Sequence, residues 1–341
     1  MKDRFLFCRL GGIGDVFHTL PLVRYVKEQY PDASVEYITS GNIKELLENH
    51  CKFIDRIWVF KKNNKDELTK QILEVSHEIT CFFNLHSSLS FFFFNLFYLR
   101  AKKYFPYKKK LKEHAVVNFA TTFDSAITKE RLKSDNLFVE QNKEMLEKFN
   151  LREKEYVCFV TGVGAERKHR VWPFEKWINL TEKFLNSTEE LKVIFLGGDD
   201  VKKTFDDYAC KGEFNLKEKL SGFGERAINL TGKLSLSDSA KIISRALYLV
   251  SCDTGLLHLA SALSVKVIGL YGPTLVDRTG PFTQADCSVL IAQNCECTSN
   301  NLKKCKKTNN LISPYGYCMN NLSVDKVLNA LLGDKSCVFP R

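Results

Sequence analysis

No stretch of this 341-residue chain is both long enough and apolar enough to cross a bilayer. The nearest candidate, Cys81–Leu99 with Phe91 to Phe94 at its centre, is broken up by Asn84, His86, Ser87, Ser88, Ser90 and Asn95. A spanning helix there would bury many polar groups in hydrocarbon, so the stretch reads as a buried strand followed by a buried helix. An export signal is missing as well. Arg9 cuts the apolar run that begins at Phe5, too early for the core of a signal peptide. The expected location is therefore cytoplasmic, with most of the twelve cysteines held as reduced thiols. The third glycine of a dinucleotide fingerprint is also lacking, because Phe17 stands where it belongs after Gly12-Ile13-Gly14. No Asp-x-Asp pair stands near either glycine-rich loop, so no catalytic metal is expected there; no cofactor is expected either. Negative charge is in short supply: the net charge of +10 invites a nucleic acid, a membrane surface or a phosphorylated substrate.

What is present is ordinary for a globular protein, with 44% hydrophobic and 26% charged residues. The length favours two domains, and the pattern repeats in two halves. Strands are expected at Arg4–Cys8, Ser34–Thr39, Arg56–Phe60, Ile79–Phe83 and Lys102–Phe105. A second series falls at Tyr156–Val160, Lys192–Leu196, Ala227–Leu230, Leu247–Cys252 and Lys266–Leu270. Amphipathic helices alternate with these strands, which argues for an α/β protein with parallel sheets covered on both faces. The polar stretch Glu140–Glu155 is the natural hinge, giving domains 1–150 and 151–341. Ligands of such sheets collect at the carboxyl ends of strands, so the residues just after each strand carry the functional reading.

After the first strand comes Gly11-Gly12-Ile13-Gly14-Asp15, followed by Val16-Phe17-His18-Thr19-Leu20-Pro21. Proline fits only the first turn of a helix, which predicts a helix starting near Thr19, with Val23, Val26 and Tyr30 as its buried stripe. Asp15 can act on a ligand or cap that helix, and the two readings stand even. The second half opens with a strand and the loop Thr161-Gly162-Val163-Gly164, then Arg167, Lys168, His169 and Arg170 before Trp172-Pro173. Four potentially cationic side chains after a strand suit a phosphate; the bland alternative is a solvated basic loop. The sharpest segment is Asp253-Thr254-Gly255 with His258 one turn later. A helix beginning at Thr254-Gly255 offers amide N–H groups and the positive end of a dipole to an anion. Singly, Asp253 is more often a cap and His258 more often a packed core histidine; together they point to a site.

These segments resemble glycosyltransferase family 9, the heptosyltransferase family. The family's opening pattern matches Arg9 through Pro21, its basic-residue-then-Trp-Pro element matches Arg170-Val171-Trp172-Pro173, and its late pattern matches Asp253 through Thr274. Thr279-Gly280-Pro281-Phe282 is similar to its Thr-Gly-Pro segment. The resemblance implies a GT-B fold, two Rossmann-like domains with a cleft between them. It implies an inverting, metal-independent transfer of a heptose or related sugar from an ADP-sugar to a lipopolysaccharide or lipooligosaccharide core. Asp15 would be the general base, with Gly12, Gly14 and His18 on the acceptor side. Thr161, Gly164, Arg170, Asp199, Asp253, Thr254, Gly255 and His258 would line the donor side. The loop Gly164–Arg170 departs from the family by lacking the neighbouring hydroxyl residues of some members. The partners implied are a nucleotide-sugar donor, a lipid-linked saccharide acceptor and peripheral contact with the inner membrane face, with no nucleic acid.

Two features stand outside those motifs. Arg100, Lys102, Lys103, Lys108, Lys109, Lys110 and Lys112 are interleaved with Tyr104, Phe105 and Tyr107; they make either a solvated surface or a contact for anionic lipid head groups. Cys295, Cys297, Cys305 and Cys318 lie close enough in sequence for a structural zinc site, although their spacing is unusual for one and reduced thiols are favoured slightly. The rival readings are another GT-B nucleotide-sugar transferase or epimerase, and a basic nucleic-acid-binding protein. The last would need basic and aromatic residues along one groove, whereas the glycine turns here sit at strand ends.

Overall fold

A computed structural model describes residues 3–61, 65–75, 79–110, 112–140, 143–163, 165–199, 201, 221–292 and 317–333. The chain divides into two compact units, Met1–Glu140 and Gln141–Arg341.

The N-terminal unit holds strands β1 (Arg4–Cys8), β2 (Ser34–Thr39), β3 (Arg56–Val59), β4 (Cys81–Asn84) and β5 (Lys103–Pro106). They lie in the order β3-β2-β1-β4-β5, and every neighbouring pair is parallel. All five positions of β1 are buried, as befits a central strand covered on both faces. One of those positions is charged. Arg4 Nε and Nη2 donate to Glu36 on β2 at 2.7 and 2.9 Å, and Trp58 Nε1 on β3 donates to the same carboxylate at 2.7 Å. That network ties three strands into one register. The chain order reverses between β1 and β4, so the loops after these two strands flank the crevice where such sheets take ligands.

Helix α1 runs over Ile13–Gln29 with Pro21 inside it, and so starts well before the expected Thr19. The glycine turn is correspondingly short, and Pro21 gives up only one backbone hydrogen bond in a helix whose middle is packed on all sides. Of the expected stripe, Val23 and Val26 are buried, but Tyr30 is 42% exposed because it follows the last helical residue. A second expectation fails at Leu89–Leu99. Strand β4 is buried as predicted, but the helix after it, Leu89–Phe94 with its π-helical continuation Asn95–Leu99, buries only one side. Phe91 and Leu99 reach the core cluster of this unit, while Leu89, Phe92, Phe93, Leu96, Phe97 and Tyr98 are exposed.

The C-terminal unit holds β6 (Tyr156–Val160), β7 (Lys192–Leu196), β8 (Ala227–Asn229), β9 (Tyr248–Cys252), β10 (Val267–Tyr271) and β11 (Cys287–Ile291). Their order is β11-β10-β9-β6-β7-β8, again parallel throughout. Strand β11 was not expected, although Val289, Leu290 and Ile291 form a short apolar run; it is a half-exposed edge strand. The short helix Glu144–Lys148 belongs with this unit and packs near the helix Leu236–Ser244. The reversal of strand order falls between β6 and β9. The helix Phe174–Asn186 turns Phe174, Trp177, Thr181 and Phe184 into the core, the single apolar face expected of it. Gly162 and Gly197, just past β6 and β7, are required by packing: a Cβ on either would meet Val201 at 2.6–2.7 Å.

Candidate active site

At the carboxyl end of β1, Gly12 caps α1 with φ +71° and no side-chain hydrogen bond. Asp15 is therefore not the cap. It stands in the first turn, and its carboxylate is paired with the Arg9 guanidinium. Arg9 is held in turn by the Leu85 carbonyl at 2.9 Å, from the loop after β4, and lies over the Phe119 ring at 5.6 Å. A Cβ on Gly12 would sit 2.7 Å from Asp15 Oδ2, so glycine is needed there both for its backbone conformation and to leave room for the carboxylate. The Asp15 side chain is 43% exposed, open to a ligand and able to accept a proton from a hydroxyl group. His86, also beyond β4, has its pKa lowered by burial and by the charge of Arg9, with Asp15 opposing. It therefore stays neutral at pH 7. His18 is buried on α1 with its ring edge-on to His114, centroids 6.0 Å apart.

At the switch point of the second sheet, Arg170 Nη1 donates to Asp253 Oδ2 at 2.9 Å. His258 Nε2 lies 3.2 Å from Asp253 Oδ1, and Thr279 Oγ1 donates to Oδ2 at 3.4 Å. The Asp253 side chain is only 5% exposed. Burial pushes its pKa up, but the hydrogen bond from His258 and the charge of Arg170 outweigh that and hold it below the usual carboxylate range. An ionised carboxylate only accepts hydrogen bonds, so His258 must donate from Nε2. Arg170 is aimed by its C-terminal neighbours. Val171 and Trp172 are buried, and Trp172 Nε1 donates to the Leu322 carbonyl at 3.0 Å. The helix Gly255–Ala262 is capped by Thr254, whose Oγ1 accepts from Leu257 N at 3.4 Å and shares a 2.9 Å hydrogen bond with Ser251. Asp253 is thus freed from capping to organise Arg170 and His258.

The structure brings together Arg170, Asp253, Thr254, Gly255 and His258. Thr161 follows β6 with a buried hydroxyl that has no hydrogen-bond partner among the described residues. Asp199 is exposed beyond β7 and makes no hydrogen bond or ion pair with these groups among the described residues. Gly164, Cys295, Cys297 and Cys305 lie outside the described residues; Cys318 is buried, and its Sγ would be 2.9 Å from a Cβ on Gly272. Of the basic loop, His169 is buried and Arg170 half-buried. Sequence reasoning missed His86 and the contact of Thr279 with Asp253. The Thr-Gly-Pro segment was the signal for Thr279, while nothing local marks His86.

The family model described as Glycosyltransferase family 9 (heptosyltransferase) matches residues 96–310. The chain belongs to that family. Among curated relatives, the lipooligosaccharide heptosyltransferase 2 of Haemophilus influenzae is 28% identical over 155 residues, 42% of this chain and 40% of the relative. The match therefore spans less than half of that relative's length. Likeness of fold extends much further. A family 9 glycosyltransferase from Veillonella parvula superposes with a TM-score of 0.75 at 20% identity, covering 97% of both chains. The E. coli ADP-heptose lps heptosyltransferase II gives 0.74 at 18% identity, covering 97% of this chain and 98% of that one. The fold of family 9 is GT-B, built from two Rossmann-like units, and the two parallel sheets of this chain are those units. The matched span 96–310 includes the Arg170–Asp253–His258 cluster and leaves out Asp15.

Proposed function

We propose that this family 9 protein transfers a heptose from an ADP-activated donor to a lipid-linked core saccharide, inverting the anomeric centre. The observation that carries the reading is the Arg170–Asp253–His258 cluster at the switch point of the second sheet, beside the N-terminus of the helix Gly255–Ala262. A leaving diphosphate gains charge as its bond to the sugar breaks. A guanidinium at about 4 Å offsets roughly 4 kcal/mol of that at an effective dielectric near 20, and the first amides of the helix add to it. Such an arrangement meets the charge without a metal step. The name of the E. coli structural relative, an ADP-heptose enzyme, supports adenine and heptose as the donor's parts.

The N-terminal unit supplies the other half of the chemistry. An acceptor hydroxyl must lose its proton as it attacks the anomeric carbon, and the reading gives that proton to the open carboxylate of Asp15, 43% exposed beyond the end of β1. Gly12 and Gly14 let the backbone come close to the acceptor. His18 is buried and acts behind them, supporting α1. A lipid-linked acceptor sets the reaction at the cytoplasmic face of the inner membrane. Asp15→Asn should lower transfer from ADP-heptose to a core-saccharide acceptor by a factor on the order of 10²–10⁴, the range for general acid–base catalysis. Its affinity for ADP, measured by calorimetric titration, should stay near wild type. Turnover close to wild type in Asp15→Asn would remove the general base from the mechanism.

A further inference from the structure

Among the described residues, a large apolar surface stands exposed on the N-terminal unit. Along Leu89–Leu99 every residue but Ser90 and Asn95 is apolar. Phe91 and Leu99 face the core, and Phe60 and Phe94 pack against Phe91 at 5.5 and 5.8 Å. The outward side carries Leu89, Phe92, Phe93, Leu96, Phe97 and Tyr98, each between 40% and 75% exposed. Phe93 and Phe97 stack on each other at 6.1 Å and Phe94 meets Tyr98 at 6.0 Å, so the surface is continuous. Scattered exposed apolar residues need no explanation, but a contiguous aromatic patch of this kind marks an interaction site.

Charge identifies the occupant. From His86 to Lys112 there is no Asp or Glu, while Arg100, Lys102 and Lys103 follow the patch and Lys108, Lys109, Lys110 and Lys112 come next. All seven are exposed. The helix begins after β4 and leads into β5, which is parallel to β4. It therefore runs back along the sheet, with Arg100 to Lys103 near its end. The lysines after β5 return to the carboxyl edge where the helix begins. Cations thus bracket an aromatic strip at both ends, the arrangement of a helix lying in a membrane interface with its apolar face among acyl chains and its basic residues at the head groups. A protein partner with an apolar face would not call for so one-sided a charge.

We propose that Leu89–Leu99, with the flanking basic residues, docks the N-terminal unit onto an anionic lipid bilayer. The patch begins four residues after Leu85, whose carbonyl holds Arg9 beside Asp15. Docking there brings the carboxyl edge of the first sheet to the surface from which a lipid-linked acceptor projects. This placement rests on the transferase reading; the docking does not.

The test is flotation of the purified full chain with phosphatidylcholine vesicles, and with vesicles that also contain anionic phosphatidylglycerol. Wild type should float with the anionic vesicles and release progressively with added salt. Phe93→Ser combined with Phe97→Ser should lower the partition coefficient on the order of tenfold or more, because two apolar side chains leave the acyl region. Lys108→Glu combined with Lys109→Glu should have a comparable effect that salt abolishes. Both variants should bind ADP as wild type does, showing that they fold. Both should also keep wild-type transfer to a delipidated, water-soluble core saccharide. A wild type that stays in solution, or a Phe93/Phe97 variant that floats like wild type, overturns the proposal. So does a variant that merely converts a dimer to a monomer in sedimentation, for the patch would then join two copies. A chain that floats as expected but transfers no heptose to either acceptor would sink the function and leave the docking standing.

Discussion

Asp253 determines how Arg170 and His258 are presented, and its burial makes the site sensitive to either partner's loss. Removing one member of a buried ion pair is strongly destabilising because it leaves the other charge uncompensated. Arg170→Ala should therefore weaken ADP binding by about 1.5–3 kcal/mol, the range for hydrogen bonds to charged groups, and lower stability as well. Arg170→Lys keeps the charge and should restore stability better than binding, since lysine lacks the planar fork that meets a diphosphate. Titration calorimetry with ADP reads the first effect and urea unfolding the second. The sign of the pH dependence comes from the depressed pKa of Asp253. Its contribution is fully present above the ordinary carboxylate value of about 4 and is lost as pH falls through the lower folded value. Asp253→Asn should flatten that part of the acid limb. If Arg170→Ala binds ADP as tightly as wild type, the donor site is elsewhere.

At the scale of elements, the strand ends that carry the site were legible because parallel sheets deliver their loops to one edge, and the period of strand and helix is plain in both halves. Three elements were not. Pro21 points to a helix start by local rule, yet α1 runs through it because buried neighbours on every side outweigh one lost hydrogen bond. The Phe-rich run after β4 reads as buried, since a helix apolar all round usually is; no local signal says that one face stays uncovered. Strand β11 carries an apolar run, Val289-Leu290-Ile291, but one too short to be told from a loop by period alone. The pairing of Arg170 with Asp253 spans 83 residues, so the resemblance could place both residues in one site but not foresee that they bind each other. The cap of the helix Gly255–Ala262 gives a test at this scale. Thr254 rather than Asp253 holds the first turn, so Thr254→Ala should cost about 1 kcal/mol in urea unfolding, while Thr254→Ser should cost less. Equal stability of Thr254→Ala and wild type would return the capping role to Asp253.

At the scale of the molecule, the two units have separate sheets and separate core clusters, so a ligand that belongs to one should stabilise that one. The proposed function assigns ADP to Gln141–Arg341 and leaves Met1–Glu140 for the acceptor. A ligand bound only to the native state stabilises it by about 2.7 kcal/mol at a hundred times its dissociation constant. Amide hydrogen exchange resolves where that gain appears, because protection is set segment by segment. With ADP present, slowing should centre on β6 with the loop after it and on β9 with the helix Gly255–Ala262, the segments that present Arg170, Asp253 and His258. Strand β1, α1 and the helix Ala115–Ala120 should exchange at their ligand-free rates. In Arg170→Ala the same segments should gain much less protection at equal ADP. Slowing centred on β1 and the glycine turn at Gly11-Gly12 would reverse the assignment, placing the nucleotide in the N-terminal unit and taking from Asp15 its role as the acceptor's base.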